Sequence, residues 1–250
     1  MKKTVLYLGD TLLAGPACYL AGVMSYYNIS FDYLPSDTKF ETQMLANNYN
    51  LIILSDYPSE NFTTSQLNAL VEKVKLGTGL LMIGGWDSFT GLNGRYNKTV
   101  LKDVLPIKMM PSDDRINYCQ TCLIKKETDH PIIHDLPFDT MTPAVGGFNL
   151  IKAKPDALTI LSTQRFENSF DGRSFNFKPL KQTDPLLVVT QFEKARVAAF
   201  ATDLAPHWVG PFVDFGSSRI NAKAPDSQEI EVGNYYACFV ANLVKWTAGI

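Results

Sequence analysis

The chain has 250 residues, enough to bury the core of one large domain or two small ones. With 46% hydrophobic and 19% charged residues, disorder is excluded as its main state. The formal net charge of −2 leaves no electrostatic footprint for nucleic acid, and no apolar run is long enough to cross a bilayer.

Residues 1–10 hold two lysines and a short apolar stretch broken by Gly9 and Asp10. They read as a first β-strand over 4–8 rather than a signal peptide, so the expected location is the cytoplasm. Residues 16–27 predict a helix, with Pro16 in its first turn and Asn28 at its end. A second strand follows over 31–34, closed by Pro35, and then a short helix over 40–47. The apolar run at 51–54 suits a strand buried on both faces. Residues 63–76 form the clearest helix: Leu67, Leu70, Val71 and Val74 share one face, Thr63 or Thr64 caps it, and Gly77 ends it. Another buried strand over 80–83 ends at Gly84-Gly85. Alternation of this kind predicts a parallel sheet with helices on both faces.

The middle is less regular. Residues 91–111 read as loop and short helix. Residues 107–155, rich in proline and acids, read as an insertion or antiparallel extension, with strand-like pieces at 122–125 and 148–152. Strands return at 157–162, 186–192 and 196–201, the last two joined closely enough for a hairpin. A polar stretch over 216–231 precedes a final helix over 232–248. The whole is expected to be one α/β domain spanning residues 1–250.

The four cysteines, Cys18, Cys119, Cys122 and Cys238, are too few for a disulfide scaffold. Cys119 and Cys122 form a C-x-x-C, and His130 and His134 complete a conceivable zinc set. But Pro131 follows His130 and the segment does not resemble a finger, so two unrelated thiols are expected, with no metal and no cofactor.

In an open parallel sheet, ligands bind beyond the carboxyl ends of the strands. That rule selects Asp10 after the first strand, Asp56 after the third, Gly84 to Gly91 after the fourth, and Asp203 to Trp208 after the strand ending near 201. The last two segments join tight turns to polar and aromatic residues, as a small-molecule pocket requires.

These segments also carry a resemblance. The stretch Met82-Ile83-Gly84-Gly85-Trp86-Asp87-Ser88-Phe89-Thr90-Gly91, then Val104-Leu105-Pro106-Ile107 with Asp113-Asp114-Arg115, then Ala201-Thr202-Asp203-Leu204-Ala205-Pro206-His207-Trp208 resemble, in order, the class I glutamine amidotransferase-like family. The resemblance implies a flavodoxin-like three-layer sandwich around a mostly parallel central sheet. It also implies a cysteine on a Gly-x-Cys-x-Gly turn and a later histidine with a glutamate two residues on, which together hydrolyse glutamine. Here Gly84-Gly85-Trp86 occupies the turn without a cysteine. His207 stands near the histidine position but is followed by Trp208-Val209.

Two functions follow as expectations. The first is a domain that has lost glutamine hydrolysis and binds a small polar ligand or a partner protein, with Gly84, Gly85, Trp86, Asp87, Asp10, Asp56, Arg95 and Trp208 as binding residues. The second is a hydrolase or lyase acting on a small metabolite, with His207 as base, Asp203 or Asp10 orienting it, and either Ser88 as nucleophile or a bound metal. Each residue has a plainer alternative. Ser88 is also an ordinary cap, Trp86 and Trp208 are also core, Arg95 is also a solvated cation, and the glycines also serve the turn alone. Neither nucleic acid nor a membrane is expected as a partner; a homo-oligomer is an open expectation.

Overall fold

The computed structural model describes residues 4–250; Met1–Lys3, part of the segment read against a signal peptide, lie outside the described residues. Strand β1 (Val5–Gly9) leads through helix α1 (Cys18–Tyr26) to β2 (Phe31–Leu34). The chain then crosses to β3 (Leu51–Ser55), helix α2 (Thr64–Lys75) and β4 (Gly79–Ile83). Every residue of β1, β3 and β4 is buried, as a parallel strand covered on both faces must be. Helix α2 starts on a capping box: the Gln66 N–H donates to Thr63 Oγ1 at 3.2 Å, and the Thr63 N–H donates to Gln66 Oε1 at 2.7 Å. The helix expected over 40–47 is instead a 3-10 turn at Thr42–Ala46 without a side-chain cap, a segment too short to repay α-helix nucleation.

Beyond β4 come α3 (Leu101–Val104), β5 (Ile107–Met109), β6 (Arg115–Asn117), β7 (Cys122–Lys126), β8 (Gly147–Asn149) and β9 (Ile151–Ala153). Strands β5 and β9 pair antiparallel, and so do β6 and β8, which gives the segment over 107–155 its antiparallel character. The chain continues through β10 (Leu158–Phe170), β11 (Phe175–Phe192), β12 (Ala195–Phe200), α4 (Pro206–Val209), β13 (Arg219–Ala222), β14 (Ile230–Gly233) and α5 (Asn234–Ala248).

The main sheet has eight strands in the order β2-β1-β3-β4-β12-β11-β10-β7. The first five are parallel, and β11, β10 and β7 extend the sheet antiparallel. This is a flavodoxin-like α/β fold with an antiparallel extension. The chain leaves β1 toward β2 on one side and returns to β3 on the other. The crevice above β1 and β3 is therefore the switch point of the sheet. Helix α5 packs on β3, β4 and β12 and touches α1, while α2 touches α3. Fully buried Tyr7, Phe89, Phe200, Phe212 and Phe239 anchor the core, each worth about 1.5–3 kcal/mol of burial.

Two regions differ from the sequence reading. Strands β10 and β11 run well past the expected limits of 162 and 186, as a ribbon whose outer part is exposed and so lacks a buried apolar run. The polar stretch over 216–231 contains the β13–β14 hairpin, in register from Arg219↔Gly233 to Ala222↔Ile230.

Candidate functional site

Four parallel strands deliver residues to one cleft of about 330 Å³. Strand β1 ends in Asp10, β3 in Asp56, β4 in the turn carrying Trp86 and Asp87, and β12 in the loop carrying Asp203 and His207; all six line it, with Thr11 and Ser36. Asp10 and Asp56 adopt left-handed backbone conformations (φ 46° and 47°), uncommon for non-glycine residues and typical of strained strand-end sites. The sharp exits turn both carboxyl groups into the crevice.

The floor is acidic and mostly dry. Asp10 and Asp203 are under one-tenth exposed. One oxygen of each acid is held by the protein. Asp10 Oδ2 accepts from the Tyr7 and Ser55 hydroxyls, and Asp203 Oδ1 accepts from the Leu204 and Ala205 N–H groups at 2.6 and 3.1 Å. Asp56 Oδ1 accepts from the Asp87 N–H at 2.8 Å. Burial pushes the Asp10 carboxyl up to about 6, against the Tyr7 and Ser55 hydrogen bonds, which favour its charged form. Burial, reinforced by the charge of Asp10, pushes Asp203 up to about 8. Asp56 also rises, through burial and the charges of Asp203 and Asp10. The three acids therefore titrate as a set, each keeping its proton to higher pH than a free aspartate.

The mouth is amphipathic. Trp86 is 44% exposed, its ring centroid 6.2 Å from that of the exposed His207. The Arg115 guanidinium lies 4.5 Å from the Trp86 ring centroid and is clamped by both carboxylate oxygens of Asp113 at 2.9 and 2.7 Å.

Other expected site residues serve the frame. Ser88 is 1% exposed, and its Oγ accepts from the Asp56 N–H at 3.0 Å, so it braces the Asp56 turn instead of facing the cleft. Trp208 is 1% exposed and its Nε1 donates to Asn117 Oδ1 at 2.8 Å, below the cleft lining. Arg95 is exposed and pairs with Glu60 at 3.7 Å. Gly84 and Gly85 are needed for close approach. A Cβ on Gly84 would meet Ala201 O at 2.4 Å, and one on Gly85 (φ 153°) would meet the Asp56 carboxylate at 2.0 Å.

The sequence reading missed a buried brace beneath the turn. Asn149 Oδ1 accepts from the Gly85 N–H at 2.9 Å, while its Nδ2 donates to Gly85 O at 3.0 Å and to Asp114 Oδ1 at 2.7 Å. Asp114 in turn accepts from the Thr90 and Gly91 N–H groups. Only the Asp113-Asp114-Arg115 motif hinted at this; a lone asparagine at the end of a short strand carries no such signal.

Among the described residues, no sulfur lines the cleft. Cys18 is buried at the start of α1, Cys119 is exposed, Cys122 is buried on β7, and Cys238 lies on α5. Residues 85–94 are bends and turns, so the turn after β4 is not followed by the helix that completes a strand–turn–helix nucleophile elbow. The drawn zinc set is not assembled. His130 caps the turn at Pro131–Ile133 and packs on Trp246, while His134 is exposed beside Asp135. Among the described residues, no group of three or more His, Cys, Asp or Glu is placed to hold a metal ion. Nor, among them, is any helix long and apolar enough to cross a membrane.

Comparison with known proteins bears on the whole frame. A family model described as "Putative glutamine amidotransferase" (GATase1-like) matches residues 15–221. The cytoplasmic protein STM1381 of Salmonella typhimurium LT2 is similar in structure, with 26% identity, a TM-score of 0.74, and coverage of 98% of this chain and 99% of that one. The cytoplasmic protein STM3548 of Salmonella typhimurium is similar at 24% identity and a TM-score of 0.74, over 98% of each chain. A ThuA-like protein of Bacteroides uniformis shares the fold at 12% identity and a TM-score of 0.55, over 98% of this chain and 91% of that one. No curated protein matches the chain.

Proposed function

The chain belongs to the glutamine amidotransferase-like (GATase1-like) family, and from that premise we propose that it has lost glutamine hydrolysis and uses the strand-end cleft to bind a small polar ligand. We read it as one such domain acting in the cytoplasm, as the two similar Salmonella proteins are named. The observation that carries the proposal is the lining of the cleft. Where the family's chemistry needs a thiolate on the turn, this chain has Trp86, and the cleft floor carries three carboxyl groups. Asp10, ionised above about 6, would repel the oxyanion of a tetrahedral intermediate, which amide hydrolysis must stabilise. The same floor accepts hydrogen bonds from hydroxyl or ammonium groups, and the half-exposed face of Trp86 covers an apolar part of a ligand. A cleft of about 330 Å³ suits a small molecule better than a partner protein.

A thermal-shift screen against small amines and polyols tests this. A ligand at a hundred times its Kd stabilises by about 2.7 kcal/mol. The expected result is a hit that disappears in Asp56→Asn and Asp203→Asn. Ammonia release from glutamine, abolished in His207→Ala, would overturn the proposal.

One observation favours a second reading. His207 and Asp203 line the same cleft, and an acid raised to about 8 is poised to exchange a proton near neutrality. A hydrolase or lyase of this kind would work without Ser88, which is held in the frame. Turnover of a screened ligand that fails in both His207→Ala and Asp203→Asn would select it over binding alone.

A further inference from the structure

The outer part of the β10–β11 hairpin projects as a two-stranded ribbon with two unlike faces. Paired residues of an antiparallel ladder share a face, and so do residues two apart along a strand. The register pairs Phe166↔Pro179, Asn168↔Phe177 and Phe170↔Phe175, which places four phenylalanines and a proline on one face. The alternate pairs, Glu167↔Lys178 and Ser169↔Asn176, make the other face polar. Phe170, Phe175 and Phe177 are 58%, 72% and 57% exposed, and the first two rings stack on each other at 4.8 Å. The turn at the tip is well made: Asp171 Oδ1 accepts from the Arg173 and Ser174 N–H groups at 2.9 and 2.8 Å. So the ribbon is a formed element with an apolar face in solvent, unstable by itself as an arrangement in water.

The β11 edge is guarded. Pro179 and Pro185 each remove a backbone donor from it, and Lys178 and Lys181 flank Pro179, which is how proteins block strand addition. The face carries no such guard, so contact is expected face-on.

We propose that this ribbon is a docking arm for a second copy of the chain, seated in the cleft that residues 126–139 form on that copy, in a reciprocal two-fold exchange. Three observations select this occupant. The cleft, about 710 Å³, is lined by Pro131, Ile133 and Leu136 together with Asp129, Asp135 and Asp139. Asp129 and Asp139 pair with Lys126 at its rim, while Asp135 pairs with no lysine or arginine among the described residues. Residues 125–139 carry a net charge of −2, from Glu127 and those three aspartates against Lys125 and Lys126. The arm over 166–181 carries +1, from Arg173, Lys178 and Lys181 against Glu167 and Asp171. Arm and cleft also lie along the same edge of the sheet: β10 pairs with β7 from Leu161↔Lys126 to Arg165↔Cys122, so the arm continues past the Cys122 end and the cleft follows the Lys126 end. A two-fold axis across that edge turns each arm toward the other copy's cleft. Finally, the area is adequate. Three rings more than half exposed present about 350 Å² per copy, and two such contacts with the surfaces they cover bury about 1,400 Å², within the range of a stable specific interface.

Sedimentation over about 1–100 μM tests the arm directly, since a dimer with a micromolar Kd shifts across that range. The wild type is expected to be dimeric at the top of the range. The triple variant Phe170→Ser/Phe175→Ser/Phe177→Ser is expected to weaken dimerisation by roughly 100-fold or more, with circular dichroism and Tm unchanged because these rings lie outside the core. Asp129→Lys/Asp135→Lys is expected to weaken it roughly ten-fold, with partial recovery on mixing with Arg173→Asp, at the tip of the arm. A wild type that stays monomeric throughout overturns the proposal, and so does a triple variant that stays dimeric. A monomer that co-sediments with anionic vesicles through the arm also overturns it, since the occupant is then a membrane. The test does not depend on what the strand-end cleft binds.

Discussion

At the scale of single residues, the aspartates of the cleft decide how the molecule responds to pH. Asp10 and Asp203 keep their protons in the folded chain up to about 6 and about 8, whereas an unfolded aspartate releases its proton near 4. Between those limits the folded chain binds more protons than the unfolded one, so stability falls as pH rises through that window. The Tm is therefore expected to drop from pH 5 to pH 8.5, and the drop is expected to flatten in Asp10→Asn/Asp203→Asn, which at pH 8.5 gains on the order of 1 kcal/mol or more over the wild type. An unchanged slope in that variant would show that the burden lies elsewhere. Asn149 sits one level below. Its truncation to alanine strips partners from the Gly85 backbone and from buried Asp114, and each orphaned group costs about 1–3 kcal/mol. Urea denaturation of Asn149→Ala is expected to show a loss of about 2–4 kcal/mol, and a loss below about 1 kcal/mol would mean that water fills the brace without penalty.

The elements explain why some of this was legible in the sequence and some was not. Strands β1, β3 and β4 announced themselves as apolar runs because both faces are buried, and α2 announced itself by spacing and by its cap. Strand ends in a parallel sheet gather at one place, so Asp10, Asp56, Asp87, Asp203, Trp86 and His207 could be named before any coordinates, and the structure brings all six to one cleft. Ser88 and Trp208 stand in the same short segments but face the frame, and one residue's direction within a turn has no periodicity to reveal it. The ribbon over 163–185 was invisible for a different reason. Its alternation is real, but its apolar face meets solvent, and strand reading relies on burial. The turn after β4 is the element where fit is tightest. Ala at position 85 would bring a Cβ within 2.0 Å of the Asp56 carboxylate, at a φ of 153° that L-residues rarely adopt. Gly85→Ala is expected to cost more than ~3 kcal/mol, and to abolish ligand binding in whatever fraction still folds. A near-neutral result in thermal unfolding would show that the Asp56 side chain swings clear, and that the left-handed exit of β3 is not fixed by this contact.

Across the whole molecule, stability is distributed unevenly, and the distribution follows the sheet. The parallel half is covered on both faces and buries whole strands, so its amides open only with global unfolding. The antiparallel end is thinner. Beyond Arg165, which pairs with Cys122, the β10–β11 ribbon is held by its own ladder and turn, with hydrogen bonds from the 118–121 segment to Phe166 and Asn168. Native-state hydrogen exchange at low protein concentration is therefore expected to rank the chain in two tiers. Amides of β1, β3 and β4 exchange at the global limit, and ladder amides of residues 168–178 exchange orders of magnitude faster, because opening them exposes little new apolar surface. Ribbon amides as slow as those of β3 in a monomeric sample would mean that the arm is packed against its own body, which contradicts the exposure of Phe170, Phe175 and Phe177. The separation has a functional consequence. A chemical site built on the rigid half keeps its geometry whatever the ribbon does, so Asp56 and Asp203 in the strand-end cleft are expected to titrate identically in the wild type and in the arm variants.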